Sequence, residues 1–78
     1  MKTQKELKHI AQEALKQEYG FMPKQNDITM LEACSDGTYI LFHVNGIEYS
    51  FNSFIINGTY DDVWAGAGTI ERRGKWEG

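Results

Sequence analysis

Two dipeptides, Asp36-Gly37 and Asn45-Gly46, constrain this chain more than any other feature. Asn-Gly or Asp-Gly between apolar alternations favours a two-residue type I′ turn, because both central residues must take positive φ. The pair predicts three antiparallel strands near 28–35, 38–44 and 47–54. The third alternates cleanly, with Ile47, Tyr49 and Phe51 on one side and Glu48, Ser50 and Asn52 on the other. The turns also fix a register. Val44 should face Ile47, Phe42 should face Tyr49, and Ile40 should face Phe51. In the first hairpin Ala33 should face Ile40, Leu31 should face Phe42, and Thr29 should face Val44. These residues make one apolar face. The opposite face receives Met30, Glu32 and Cys34, then Tyr39, Leu41 and His43, then Glu48, Ser50 and Asn52. A one-residue slip would exchange the two faces.

An apolar sheet face needs a cover, and the segment before it supplies one. Thr3 and Glu6 form a capping box, in which each side chain satisfies a free N–H of the first helical turn. Leu7, Ile10, Ala11, Ala14 and Leu15 then recur at three- and four-residue spacing. Lys16 suits the negative end of the helix dipole, Gly20 suits C′, and Pro23 prevents continuation. The helix is expected over about 4–19. Lys5, His9, Gln12 and Lys16 form its solvated face, and Tyr19, Phe21 and Met22 are expected to wedge its end onto the sheet.

The remainder is read in two ways. Thr59-Tyr60-Asp61-Asp62-Val63-Trp64 resembles a helix start, with Thr59 as cap and aspartates in the first turn. A further hairpin through Asn57-Gly58 competes with it. Thr69 to Arg73 suits a short edge strand, and Trp76 is either an anchor or frayed. The expected fold is therefore α+β: one domain over 1–78, an N-terminal amphipathic helix on a three- to four-stranded antiparallel β-meander, and a short C-terminal helix or edge strand.

Charge is distributed unevenly. Residues 1–26 carry Lys2, Lys5, Lys8, Lys16 and Lys24 against Glu6, Glu13 and Glu18. From Gln25 to Glu71 there is no Lys or Arg, while Asp27, Glu32, Asp36, Glu48, Asp61, Asp62 and Glu71 are present. Arg72, Arg73 and Lys75 follow. The sheet is thus expected to be anionic, a surface that attracts a basic partner. The competing interpretation is that the carboxylates only keep a small domain in solution.

Catalytic chemistry finds little support. Cys34 and His43 share a face, but Cys34 lies beside Tyr39. At about 3.3 Å per residue His43 is then roughly 13 Å away, too far for a nucleophile and its base. Glu32 and Glu48 flank the middle strand and could raise one another's pKa, but no nucleophile accompanies them. His43 opposite Glu48 could form a pH-sensitive pair, and it carries the enzyme alternative; an ordinary cross-strand contact is the simpler account. Gly66-Ala67-Gly68 is too short for a phosphate loop. A closed zinc site needs four ligands, and the soft ones are Cys34, His9 and His43. No cofactor or metal is expected. Direct nucleic-acid binding is disfavoured, because the sheet has the wrong sign and Tyr39 lacks basic neighbours. One cysteine, no apolar run at the start and no membrane-length segment lead us to expect a cytoplasmic protein.

These features favour a small acidic, non-enzymatic protein-binding module. Met30, Tyr39, Leu41 and Trp64 would supply buried area, and Glu32, Glu48, Asp61 and Asp62 would steer a basic protein partner, with His43 beside them. A basic partner is often one whose own ligand is nucleic acid, so such a face could act as an inhibitor by occupying that surface. In size and charge layout the chain is similar to small phage-encoded inhibitors of bacterial defence, the anti-CRISPR and anti-restriction proteins; the likeness carries no residue-level correspondence. A homodimer that packs its mixed faces together, or a small subunit of a larger complex, is the structural alternative.

Overall fold

A computed structural model describes residues 2–53 and 68–76. Helix α1 (Gln4–Tyr19) is followed by a single 3₁₀ turn (Gln25–Asp27) and by strands β1 (Ile28–Ala33), β2 (Tyr39–Val44), β3 (Ile47–Ser53) and β4 (Gly68–Lys75). The strands form one antiparallel sheet in the order β1-β2-β3-β4. The fold is an N-terminal helix packed on a four-stranded meander.

The helix begins and ends where its caps dictate. The Thr3 hydroxyl accepts from the Glu6 N–H at 3.1 Å, and the Glu6 carboxylate accepts from the Thr3 N–H at 2.9 Å. Gly20 sits at φ 79° and donates its N–H to the Lys16 carbonyl. That left-handed conformation would cost an L-residue with a Cβ about 1–2 kcal/mol. The buried stripe is Leu7, Ile10, Ala11, Ala14 and Leu15, as the spacing requires. It meets Ile28, Ile40, Phe42, Val44, Tyr49, Phe51 and Ile70 from all four strands. Phe42 and Tyr49 stack at 5.6 Å in the middle of this layer.

The second hairpin follows the sequence closely. Asn45 at φ 52° and Gly46 at φ 81° are both left-handed, as a type I′ turn needs. Val44 pairs with Ile47, Phe42 with Tyr49, and Ile40 with Phe51.

The first hairpin departs from expectation twice. Its connection is longer than two residues, running from Cys34 to Thr38. Gly37 is left-handed at φ 82°, whereas Asp36 is not. The turn closes by the Gly37 N–H donating to the Cys34 carbonyl at 3.0 Å. Asp36 is instead held by its side chain, which accepts from the Thr38 N–H at 2.9 Å and the Thr38 hydroxyl at 2.7 Å. This side-chain turn competes with the I′ geometry and wins.

The second departure is a β-bulge between Met30 and Glu32. Ala33 still pairs with Ile40, but beyond the extra residue Leu31 the register moves by one. Met30 pairs with Phe42, Thr29 with His43, and Ile28 with Val44. An unbroken ladder would have buried Thr29 and exposed Ile28. The bulge leaves Ile28 only 2% exposed and turns Thr29 outwards, at the expense of leaving Leu31 37% exposed. Burying Ile in place of a hydroxyl-bearing side chain gains apolar area and avoids an unpaired polar group.

Polar contacts fasten the joints. The Gln12 amide donates to the Pro23 carbonyl at 2.9 Å, holding the helix–sheet connection against α1. The Lys2 N–H donates to the Ser35 carbonyl at 2.8 Å, so the residue before the helix cap is tied to the first hairpin. Of the three residues expected to wedge the helix end, Tyr19 touches Tyr49 at 5.8 Å. Phe21 and Met22 stay 40% and 45% exposed. Tyr19 is itself 44% exposed and lies 6.4 Å from the Phe21 ring, so the three form an exposed apolar rim that meets the sheet through Tyr19.

Candidate functional site

Alternation along the sheet sends one set of side chains away from the helix. Pairing places Thr29 beside His43, Glu32 beside Leu41, Tyr39 beside Asn52, Leu41 beside Ser50, and His43 beside Glu48. Five of the expected binding residues therefore do share the outer face: Glu32, Tyr39, Leu41, His43 and Glu48. Met30 does not. The bulge turns it to the helix side, where it packs against the core. It also borders a groove of about 330 Å³ between β1 and the start of α1, shared with Lys2, Leu7 and Glu32. Asp61, Asp62 and Trp64 lie outside the described residues, as do the proposed Thr59–Trp64 helix and the Asn57-Gly58 hairpin.

The outer face is less open than alternation alone implies. Tyr39, Leu41, His43 and Glu48 are all half-buried, and Ser50 is 3% exposed. Part of this cover comes from the residue that follows β4. The Trp76 indole stacks on the His43 imidazole, centroid to centroid at 3.9 Å and 14° from parallel. The Trp76 N–H donates to the Gly46 carbonyl at 2.8 Å, which pins that end of β4 to the second turn. The His43 Nδ1 atom is buried and has no hydrogen-bond partner among the described residues.

The sheet is also not anionic throughout. Strand β4 brings Arg72 beside Tyr49 and Lys75 beside Ile47. A second bulge lies between Glu48, paired with Gly74, and Tyr49, paired with Arg72. Arg73 is the extra residue, and its Nε lies 3.6 Å from the Glu48 carboxylate. Gly74, at φ 109°, supplies the backbone freedom the bulge needs. Among the described residues Lys and Arg are absent from 25–53, a stretch that includes β1–β3, and its carboxylates are Asp27, Glu32, Asp36 and Glu48. Of these four, Glu48 has the Arg73 guanidinium within ion-pair distance.

Two carboxyl groups are held below their ordinary values. The Thr38 N–H and hydroxyl stabilise ionised Asp36, with a smaller contribution from the Lys2 charge. Glu6 is lowered by the Thr3 N–H and hydroxyl of its capping box. Burial pushes the Tyr49 phenol up, against a smaller opposing pull from Arg72. None of these groups belongs to the outer face, so their shifts describe caps, turns and core. Cys34 is exposed, and its N–H donates to the Tyr39 carbonyl, which keeps it at the far end of β2 from His43. Among the described residues no three of His, Cys, Asp and Glu gather closely enough to hold a metal ion. No described helix is long and apolar enough to cross a membrane.

Sequence reasoning missed Arg73 as the partner of Glu48 and the stack of Trp76 on His43. The signals available were weak: a tryptophan just after the last predicted strand, and a cluster of cations after a cation-free stretch. The helix-on-meander fold and a half-covered, mixed outer face define a small α+β protein. No protein-family model matches the chain, and neither the curated proteins nor the solved structures contain a match to it.

Proposed function

We propose that this protein is a non-enzymatic protein-binding module, and that its partner presents a basic surface to the outer face of the sheet. The observation that carries this reading is the absence of any Lys or Arg on β1–β3, together with Glu32 and Glu48 on the face that also holds Tyr39, Leu41 and His43. Carboxylates around apolar and aromatic side chains suit a partner whose cations give approach and register while buried area gives affinity. Glu48 already forms an ion pair with a guanidinium from within the chain, at 3.6 Å, which supports arginine as a ligand of this face. A partner with such a surface is often one whose own ligand is nucleic acid, and occupying that surface would inhibit its hold on nucleic acid. Anti-CRISPR and anti-restriction inhibitors are the functional type that this reading points to.

Calorimetric titration tests it with two peptides of equal length, one arginine-rich and one glutamate-rich. The arginine-rich peptide should bind, and its affinity should fall steadily as sodium chloride is raised, because surface attraction is screened. Equal binding of both peptides, or an affinity indifferent to salt, would contradict the proposal.

A further inference from the structure

We infer that the C-terminal end of β4 acts as a stand-in ligand for the outer face, and that the true partner displaces it with a segment carrying both a guanidinium and a flat aromatic ring. The inference rests on the binding role proposed above and names the chemistry of the partner. Three contacts converge on a small area of the face. Arg73 reaches Glu48 at 3.6 Å, the Trp76 ring lies on His43 at 3.9 Å, and the Trp76 N–H is bonded to the Gly46 carbonyl at 2.8 Å. His43 and Glu48 are cross-strand neighbours. A single short stretch, Arg73-Gly74-Lys75-Trp76, therefore satisfies a carboxylate and covers an imidazole that stand side by side.

The backbone is arranged to permit this. A regular ladder would alternate Arg72 and Arg73 between the two faces without slack. The bulge makes Arg73 an extra residue directed to Glu48, and Gly74 at φ 109° lets the strand resume its pairing so that Lys75 still meets Ile47. The Arg73 side chain remains 48% exposed, as a replaceable ligand would be. The anion on one side and the flat ring on the other describe what fits: a cation next to an aromatic group, on an extended segment.

A closed stand-in lowers the apparent affinity of the partner by the fraction of molecules in which the face is open. A solvent-accessible aromatic stack of ordinary strength leaves that fraction at roughly a tenth to a third, so removing it should raise affinity about three- to tenfold. The probe is the chain's own sequence supplied in trans, a capped Arg-Arg-Gly-Lys-Trp peptide, with a second peptide in which Ala replaces Trp at the same charge. Trp76→Ala should bind the tryptophan peptide about three- to tenfold more tightly than the unaltered protein, and more tightly than it binds the alanine peptide. Trp76→Phe keeps a ring and should behave like the unaltered protein. On the unaltered protein, the Trp76 indole N–H resonance should move to its free-chain position as peptide saturates; this reading needs no variant to fold. If the unaltered protein binds the peptide while Trp76→Ala binds no better, or the indole resonance stays in place at saturation, the displacement idea is overturned and the binding role stands. If neither protein binds either peptide at low salt, the binding role fails and takes this inference with it.

Discussion

Reversing Glu32 and Glu48 to lysine tests the electrostatic reasoning quantitatively. Both side chains stand on the outer face, one on each side of β2. A guanidinium docked about 6 Å from a carboxylate in a water-like dielectric gains roughly 0.7 kcal/mol. A lysine in that place turns the gain into an equal repulsion, a change of about 1.4 kcal/mol or tenfold in affinity per site at low ionic strength. At physiological salt the Debye length of about 8 Å roughly halves the interaction, leaving about threefold per site and tenfold for the pair. Glu48 should contribute less than Glu32, because Arg73 already offsets part of its charge at 3.6 Å. The fold should survive, since a half-exposed pair of this kind is worth at most about 1 kcal/mol. Fluorescence anisotropy with a labelled arginine-rich peptide reads the affinities, and circular dichroism checks the fold. An unchanged affinity for the folded double variant at low salt would refute the reasoning.

Other perturbations address the framework. Phe42→Ala removes a fully buried ring that stacks on Tyr49. It should cost about 3–5 kcal/mol, comparable with the whole stability of a domain this small, so thermal melts should show a largely unfolded chain. Thr3→Ala breaks the capping box and should cost about 1 kcal/mol, read as a lower urea midpoint with an unchanged slope. Gly68→Ala would drive a Cβ into the Asn52 carbonyl and the Phe51 ring, so it should melt well below Gly46→Ala, whose Cβ meets open space and whose strain is only that of a left-handed residue. Asp36 and Glu6 have lowered folded pKa values, so their contribution to stability is complete above their unfolded values of 3.8 and 4.5 and is lost as pH falls towards the folded ones. Asp36→Asn with Glu6→Gln should therefore flatten the acid limb of the stability profile below about pH 5, and an unaltered limb would contradict the turn and cap assignments.

What the sequence revealed, and what it hid, follows from the range of each interaction. The helix stripe, both helix caps and the Asn45-Gly46 turn depend on residues a few positions apart, and local rules reached them. The same rules misplaced Met30, because a bulge obeys a comparison between two whole registers, Ile28 and Met30 inward against Thr29 and Leu31 inward. Asp36-Gly37 looked like a second I′ turn, but the Asp36 carboxylate had a nearer alternative in Thr38. The site was the least legible part. Glu48 and His43 were placed correctly on one face, whereas their actual neighbours Arg73 and Trp76 arrive only through pairing between distant strands. In the sequence Arg72, Arg73 and Lys75 merely follow the cation-free stretch, yet in the sheet they lie on β4 against β3, with Arg73 beside Glu48.

The most direct test of the account is nuclear magnetic resonance mapping of an arginine-rich peptide on the uniformly labelled protein. The largest amide shifts are expected at Glu32, Tyr39, Leu41, His43 and Glu48, with little change along α1. Shifts concentrated on the Tyr19–Met22 rim or the groove beside Lys2, with the middle of β2 undisturbed, would show that recognition happens elsewhere.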